Sequence, residues 1–156
     1  MSIEKVRAYF TSRGMEERVL EFDCSSATVE QAAQALGVEP SRIAKTLSFA
    51  VGDRAVLVVM AGDRKVDNAK YKAQFGVKAK MLSHQEAAEK IGHAVGGVCP
   101  FAVNDGVEVY LDVSLKRYAM VYPAAGSGSS AIGLTIPELE EHSGFTAWVD
   151  VGKPCV

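Results

Sequence analysis

The sequence predicts one mixed domain, of α+β or mixed α/β class, with a mixed sheet and helices packed outside it. Three observations lead there. Strand patterns and helix patterns are interspersed along all 156 residues, several of them joined as hairpins. A strictly alternating run, Ile43 to Val51, is followed after the turn Val51-Gly52-Asp53-Arg54 by a continuous apolar run, Ala55 to Ala61, that reads as a strand buried on both faces. Helix starts are marked by capping boxes, and no repeat, linker or low-complexity segment divides residues 1–156.

Taken in order, Ile3, Val6, Tyr9 and Phe10 fall at helical spacing, with Gly14 as a stop. Val19 to Asp23 reads as a short strand. Thr28 with Gln31 opens a helix through Ala32, Ala33 and Leu36, closed by Gly37. Asp67 caps a helix over Ala69 to Phe75, ended by Gly76. Lys78 to Leu82 reads as a strand, and Ser83 with Glu86 opens the helix that stops at Gly92. Asn104-Asp105-Gly106 is a tight turn before an alternating strand, Val107 to Asp112. Ala119 to Tyr122 and Ala131 to Thr135 flank a loop, Ala124 to Ser130. Thr135, Pro137 and Glu138 start the last helix, which stops near Gly144, and Phe145 to Val151 reads as a final strand.

Composition narrows the function. The chain is 48% hydrophobic, enough for a real core, and its formal charge of −2 argues against a protein that coats duplex DNA or RNA. The N-terminus lacks a secretory pattern, and the longest apolar stretch is too short to span a bilayer. Three cysteines, Cys24, Cys99 and Cys155, are an odd number that fits reduced thiols and a cytoplasmic location.

The most informative single residue is Lys45. Side chains on a strand alternate between faces, so Ile43, Lys45, Leu47, Phe49 and Val51 share one face, opposite Ala44, Thr46, Ser48 and Ala50. An ammonium among apolar neighbours needs a partner or an opening to solvent. Either it snorkels past the core edge into water, or it faces a cavity that holds an anionic or carbonyl ligand.

The second is Val95-Gly96-Gly97-Val98-Cys99-Pro100-Phe101. Adjacent glycines allow close backbone approach, and Pro100 restricts its own backbone and that of Cys99. Such a bend is either an ordinary turn or a nest of N–H groups facing one oxygen. Cys99 as a nucleophile needs a base, and His84, His93 and His142 show no spacing that pairs one with a cysteine, so a buried structural thiol is the expectation. His84 and His93 lack the spacing of a helical metal pair, and neither metal nor cofactor is expected. Gly126-Ser127-Gly128-Ser129-Ser130 lacks the lysine and helix of a nucleotide-binding loop; it is a flexible hairpin loop whose hydroxyls and N–H groups are within the repertoire of a phosphate contact. Asp112 either caps the Ser114-Leu115-Lys116 turn or faces the same cavity as Lys45.

Together these residues resemble the YbaK/prolyl-tRNA synthetase-associated editing domain family. The resemblance rests on Arg42-Ile43-Ala44-Lys45-Thr46-Leu47 after Gly37-Val38-Glu39-Pro40, then Val95-Gly96-Gly97-Val98-Cys99-Pro100, then Tyr110-Leu111-Asp112, in matching order over nearly the whole chain. It implies a curved, partly barrel-like mixed sheet and a free-standing, metal-independent hydrolase that removes a wrongly attached amino acid from tRNA. By resemblance, Lys45, Gly96 and Gly97 are the catalytic positions, with Lys45 engaging the 3′ aminoacyl-adenosine end. Thr46, Val98, Cys99, Pro100, Asp112, Gly126 and Ser127 are the substrate-binding positions. The substrate's own 2′-hydroxyl and a water do the chemistry. Two departures are visible: alanyl-editing members commonly carry Asn where Thr46 stands, and Ala124 and Ala131 occupy positions where relatives tend to have a serine and an acidic residue.

Three functions follow as expectations: a trans-acting aminoacyl-tRNA deacylase; a non-catalytic module that binds tRNA ends or docks on an aminoacyl-tRNA synthetase; and a Cys99-dependent hydrolase. None implies a membrane or duplex DNA as partner.

Overall fold

The computed structural model describes residues 2–94 and 96–155. Helix α1 (Ser2–Thr11) buries Val6 and Phe10, one turn apart, and leads through a single turn to β1 (Val19–Glu21). Helix α2 (Val29–Leu36) begins at the Thr28/Gln31 capping box and ends at Gly37, whose φ of 70° requires glycine's freedom. Strands β2 (Ile43–Val51) and β3 (Arg54–Ala61) form the central hairpin, and β4 (Arg64–Val66) follows a tight turn. Asp67 caps α3 (Asn68–Phe75), and the Ser83/Glu86 capping box opens α4 (His84–Lys90). Then come β5 (Glu108–Asp112), one helical turn over Val113–Arg117, β6 (Met120–Pro123), β7 (Ser130–Ile132), β8 (Leu134–Thr135), α5 (Ile136–Ser143), β9 (Ala147–Val149) and β10 (Gly152–Pro154).

Six strands form one curled, half-barrel sheet in the order β8-β6-β2-β3-β5-β9, and β1-β7 and β4-β10 are antiparallel pairs. The β2-β3 and β6-β8 pairs are antiparallel, whereas β2-β6, β3-β5 and β5-β9 are parallel. Strand β3 sits at the middle with every residue from Ala55 to Ala61 buried, because its two faces serve two cores. On one face Leu57, Val59 and Ala61 join Val6 and Phe10 of α1, Ile91 after α4, and Leu139 of α5. On the other, Val56, Val58 and Met60 join Phe49 and Val51 of β2 and Tyr71 of α3. Ile43 leaves its predicted face-mates and packs under Ala32 and Ala33 of α2. Among the described residues, no helix is long and apolar enough to cross a membrane.

Several expected strands are shorter or divided, the first ending at Glu21 rather than Asp23. Segment 78–82 makes one bridge, Phe49↔Met81, before the Ser83 cap begins α4. The run 131–135 divides at Gly133, where a Cβ would lie 2.9 Å from Cε1 of Tyr122; β7 turns away to pair with β1 while β8 stays on β6. The last strand covers only β9, and β4 and β10 form a ribbon that no sequence signal announced.

Arg18 clamps the start of α5: its guanidinium donates to both carboxylate oxygens of Glu138, at 2.5 and 2.8 Å, and to Gly133 O at 2.6 Å. The Arg18 hydrogen bond, with help from Thr135, pulls the Glu138 carboxyl down from the usual 4.5 to about 2. A depressed carboxylate adds stability above its unfolded value that is lost as pH falls toward the folded one. Solvent exposure of the pair limits this to roughly 1 kcal/mol. Thermal unfolding of Glu138→Gln against the parent chain should therefore show a deficit at pH 6 that shrinks between pH 4.5 and 2; a pH-independent deficit would contradict the assignment.

Candidate active site: an open strand edge facing two glycine loops

One cavity of about 670 Å³ is lined by six consecutive residues of β2, Ile43 to Ser48, although they alternate between faces. The strand's outer edge explains this. Strand β6 pairs with β2 only at Ile43 and Ala44. Segment 80–82 pairs at the far end, with Leu82 N donating to Ser48 O and Ala50 N to Lys80 O. Between them no described residue pairs with the edge, and the cavity wraps around it. These bonds also aim the Ser48 and Ala50 peptide groups away from β3, so the period of two aims Thr46 N–H and C=O at the gap. The remaining walls are loop 26–29 with Ala32, segment 81–84 with Ala87, Gly96 and Val98, and Tyr122, Ala124, Ser130 and Ala131.

Lys45 is half-buried and lines this cavity on the Leu47–Phe49 side of the strand. Its ammonium donates to the carbonyl oxygen of Arg64 on β4. That carbonyl is available for a reason: Asp63 O accepts from Cys155 N, so alternation points Arg64 O away from β10. An ammonium carries three donors, and a single carbonyl does not satisfy them.

The two glycine loops lie back to back. Gly96 has φ of 83°, and a Cβ there would meet Ala27 Cβ at 3.3 Å and Gly128 Cα at 3.4 Å. Gly97 is buried, and a Cβ on it would lie 2.5 Å from the Gly126 carbonyl carbon. Only glycine fits, because backbone touches backbone. Gly97 N–H is bonded to Ala94 O at 3.0 Å, so Gly96 and Val98 are the loop residues that reach the cavity, and Gly97 supports them from behind. Val95 of the motif lies outside the described residues. The second loop is latched from both sides. Ser130 Oγ donates to Ser127 O and accepts from Ser127 N, while Ser26 N and Phe22 N donate to Gly128 O and Ser129 O.

Cys99 and Pro100 are buried and do not line the cavity. The expectation that no histidine pairs with a cysteine fails here, since His93 Nε2 lies 3.6 Å from Cys99 Sγ. The bend through Gly96 folds the chain back on itself, which spacing alone does not show. The pair is nonetheless inert. His93 Nε2 is 2.7 Å from Phe101 O, a carbonyl that can only accept, so Nε2 carries the proton and cannot take one from sulfur. Burial pushes the Cys99 thiol up to about 12, and burial also lowers His93.

Asp112 lies elsewhere, 1% exposed, and resolves to the capping alternative: its Oδ2 accepts from Ser114 N and its Oδ1 from Val151 N. It borders a smaller hollow with Arg64, Lys70 and Arg117. Of the residues singled out in the sequence, Lys45, Thr46, Gly96 and Val98 share the cavity; Gly97, Gly126 and Ser127 build its backing; Cys99, Pro100 and Asp112 are structural in placement. Ser26 and Ala27 line the cavity and were not anticipated, because the β1-β7 pairing that carries their loop there is long-range; Ser130, from the loop singled out for its hydroxyls, lines it too. Ala124 and Ala131, noted as departures, are both in the lining.

Comparison with known proteins agrees with this geometry. Residues 25–141 match the family described as aminoacyl-tRNA editing domain. The chain is 55% identical over 154 residues, 98% of each chain, to the uncharacterized protein YwhH of Bacillus subtilis (strain 168). It is 30% identical over 125 residues to a proline--tRNA ligase of Bacillus velezensis, covering 80% of this chain but only 22% of the ligase. A crystal structure of "a putative trans-editing enzyme for prolyl tRNA synthetase" superposes with a TM-score of 0.87 at 30% identity, covering 97% of both chains. The chain therefore belongs to the aminoacyl-tRNA editing domain family.

The placement of the thiols gives a direct check. Cys24 and Cys155 are exposed and Cys99 is buried. Iodoacetamide at pH 8 on the native protein, followed by peptide mass spectrometry, should label Cys24 and Cys155 and leave Cys99 unmodified until denaturant is added. Rapid native labelling of Cys99 would refute its assignment as an inert buried thiol.

Proposed function

We propose that this protein is a trans-acting aminoacyl-tRNA deacylase, which hydrolyses the ester of a mischarged tRNA in the cytoplasm. The observation that carries it is the sharing of one cavity by Lys45, Gly96 and Val98. That combination fits a ligand with an anionic, ribose-bearing stem and a small acyl end. Family membership and the likeness to a trans-editing enzyme support the same reading.

The chemistry asks little of the protein. An aminoacyl ester is already activated, so positioning and modest polarisation of its carbonyl suffice. Lys45 binds the terminal nucleotide through oxygen atoms of its phosphate or ribose, using donors that Arg64 O leaves unsatisfied. Its apolar neighbours Leu47 and Phe49 lower the local dielectric and strengthen that attraction. The bend at Gly96 and Val98 holds the acyl group, and the substrate's 2′-hydroxyl with a water completes the attack. The inert His93–Cys99 pair takes no part in this reading.

Lys45→Ala should lower kcat/KM on a mischarged tRNA by at least about 100-fold, the scale of losing one fixed electrostatic contact to the reacting end. Its melting temperature should change little, since the lysine makes a single bond to one carbonyl. The measurement is release of labelled amino acid from a panel of singly mischarged tRNAs, with thermal denaturation alongside. Undiminished turnover by the variant would overturn the assignment of Lys45, and binding of tRNA without hydrolysis of any ester would leave a recognition module instead.

A further inference from the structure

Four buried side-chain polar atoms have no hydrogen-bond partner among the described residues, and two of them, Ser26 Oγ and Thr46 Oγ1, belong to residues lining this one cavity. A buried hydroxyl without a partner is costly and rare, and its concentration at one place calls for an explanation. Ser26 is only 7% exposed and is fixed in place by its own backbone, whose N–H donates to Gly128 O at 2.7 Å. Thr46 comes from a different element, with its side chain on the same face as Ala44 and Ser48. Around them the lining is small and apolar: Ala27, Ala44, Ala124 and Ala131.

Three of the other cavity hydroxyls are occupied internally, and Ser26 and Thr46 are the lining hydroxyls buried without a partner among the described residues. Thr28 and Ser83 cap helices, and Ser130 bonds to Ser127. Ser26 and Thr46 are thus left for a ligand. We propose that they form the acyl side-chain pocket, and that the amino acid accommodated there carries a hydroxyl, as serine and threonine do, in preference to alanine. The proposal rests on the deacylase reading for the identity of the ligand. The position of the hydroxyls decides which part of that ligand meets them. The RNA chain must remain outside, at the mouth where Met81 is 58% exposed, so the group farthest from the RNA goes deepest, and that group is the amino-acid side chain. A site with unpaired polar groups selects a substrate that pairs them and rejects the isostere that cannot.

Binding and turnover are to be measured separately. Calorimetric titration of the intact protein with non-hydrolysable 3′-amide analogues of seryl-, threonyl- and alanyl-adenosine should show the hydroxylated ligands binding at least about tenfold more tightly than the alanyl one. Ser26→Ala and Thr46→Val should each reduce the seryl-to-alanyl ratio severalfold. Equal affinity for seryl and alanyl analogues would overturn the proposal. So would variants that weaken free adenosine as much as the seryl analogue, because the hydroxyls would then serve the nucleoside. Parallel deacylation assays on Ser-tRNA and Ala-tRNA separate the two readings. A hydroxyl preference in binding with no ester hydrolysed sustains the pocket and ends the deacylase; hydrolysis without the preference does the reverse.

Discussion

Strand β2 is paired along its outer edge at both ends and left open in the middle, and the rest of the site depends on that gap. Two neighbours compete for the edge from opposite directions: β6 takes Ile43 and Ala44, and segment 80–82 takes Ser48 to Ala50. An unpaired edge in a sheet is ordinarily a liability that invites association. Here the liability is enclosed, walled by loop 26–29 on one side and by Gly96, Val98 and Ala131 on the other. One consequence is that residues of both strand faces reach the same cavity, which explains how Lys45 and Thr46, adjacent in sequence and opposed in direction, share a single hollow.

The walls opposite the strand are made by backbone rather than side chains. Gly97 presses on the Gly126–Ser127 peptide at a distance no side chain tolerates, and Gly96 rests on Ala27 and Gly128. Packing two loops this closely fixes each by the other. The serine hydrogen bonds within 127–130 and the bonds to Phe22 and Ser26 then tie the pair to the β1-β7 ribbon. Loops usually offer mobility at a site; these are packed backbone to backbone and hydrogen-bonded from both sides.

Much of the scaffold was legible in the chain, and the reason is locality. Capping boxes at Thr28, Ser83 and Thr135 involve residues three apart, and each is formed. The alternation of 43–51 and the continuous run of 55–61 gave the central hairpin and the odd position of Lys45. What escaped was every feature that depends on distant partners. The β4-β10 ribbon joins residues nearly ninety apart in register, Gly152 to Val66, through short and polar strands with no periodicity of their own. Segment 78–82 has the composition of a strand, yet only one bridge holds it, because the Ser83 cap ends the pairing. His93 meets Cys99 through a bend at Gly96 that spacing rules do not describe. Ser26 reaches the cavity through the β1-β7 pairing, so the sequence held the strand and the two glycine loops but concealed the wall that loop 26–29 adds.

The electrostatics of the chain set how such a site would engage an anion. With 17 basic and 19 acidic side chains, net charge offers no long-range attraction for a polyanion. Attraction must then come at short range, from a cation that is already in place. Lys45 meets that condition because the Arg64 carbonyl, turned outward by the β4-β10 ladder, holds its ammonium against the sheet and keeps it from swinging into solvent. A carbonyl is a partner without charge, so it orients the ammonium and leaves its positive charge uncompensated, whereas a carboxylate would cancel it. Arg18, Arg54 and Arg117 each have such a carboxylate, in Glu138, Glu108 and Asp63. The contrast separates cations that fasten the fold by ion pairing from Lys45, a cavity-lining cation held by an uncharged carbonyl, and the β4-β10 ribbon, the least predictable part of the fold, is what makes that difference.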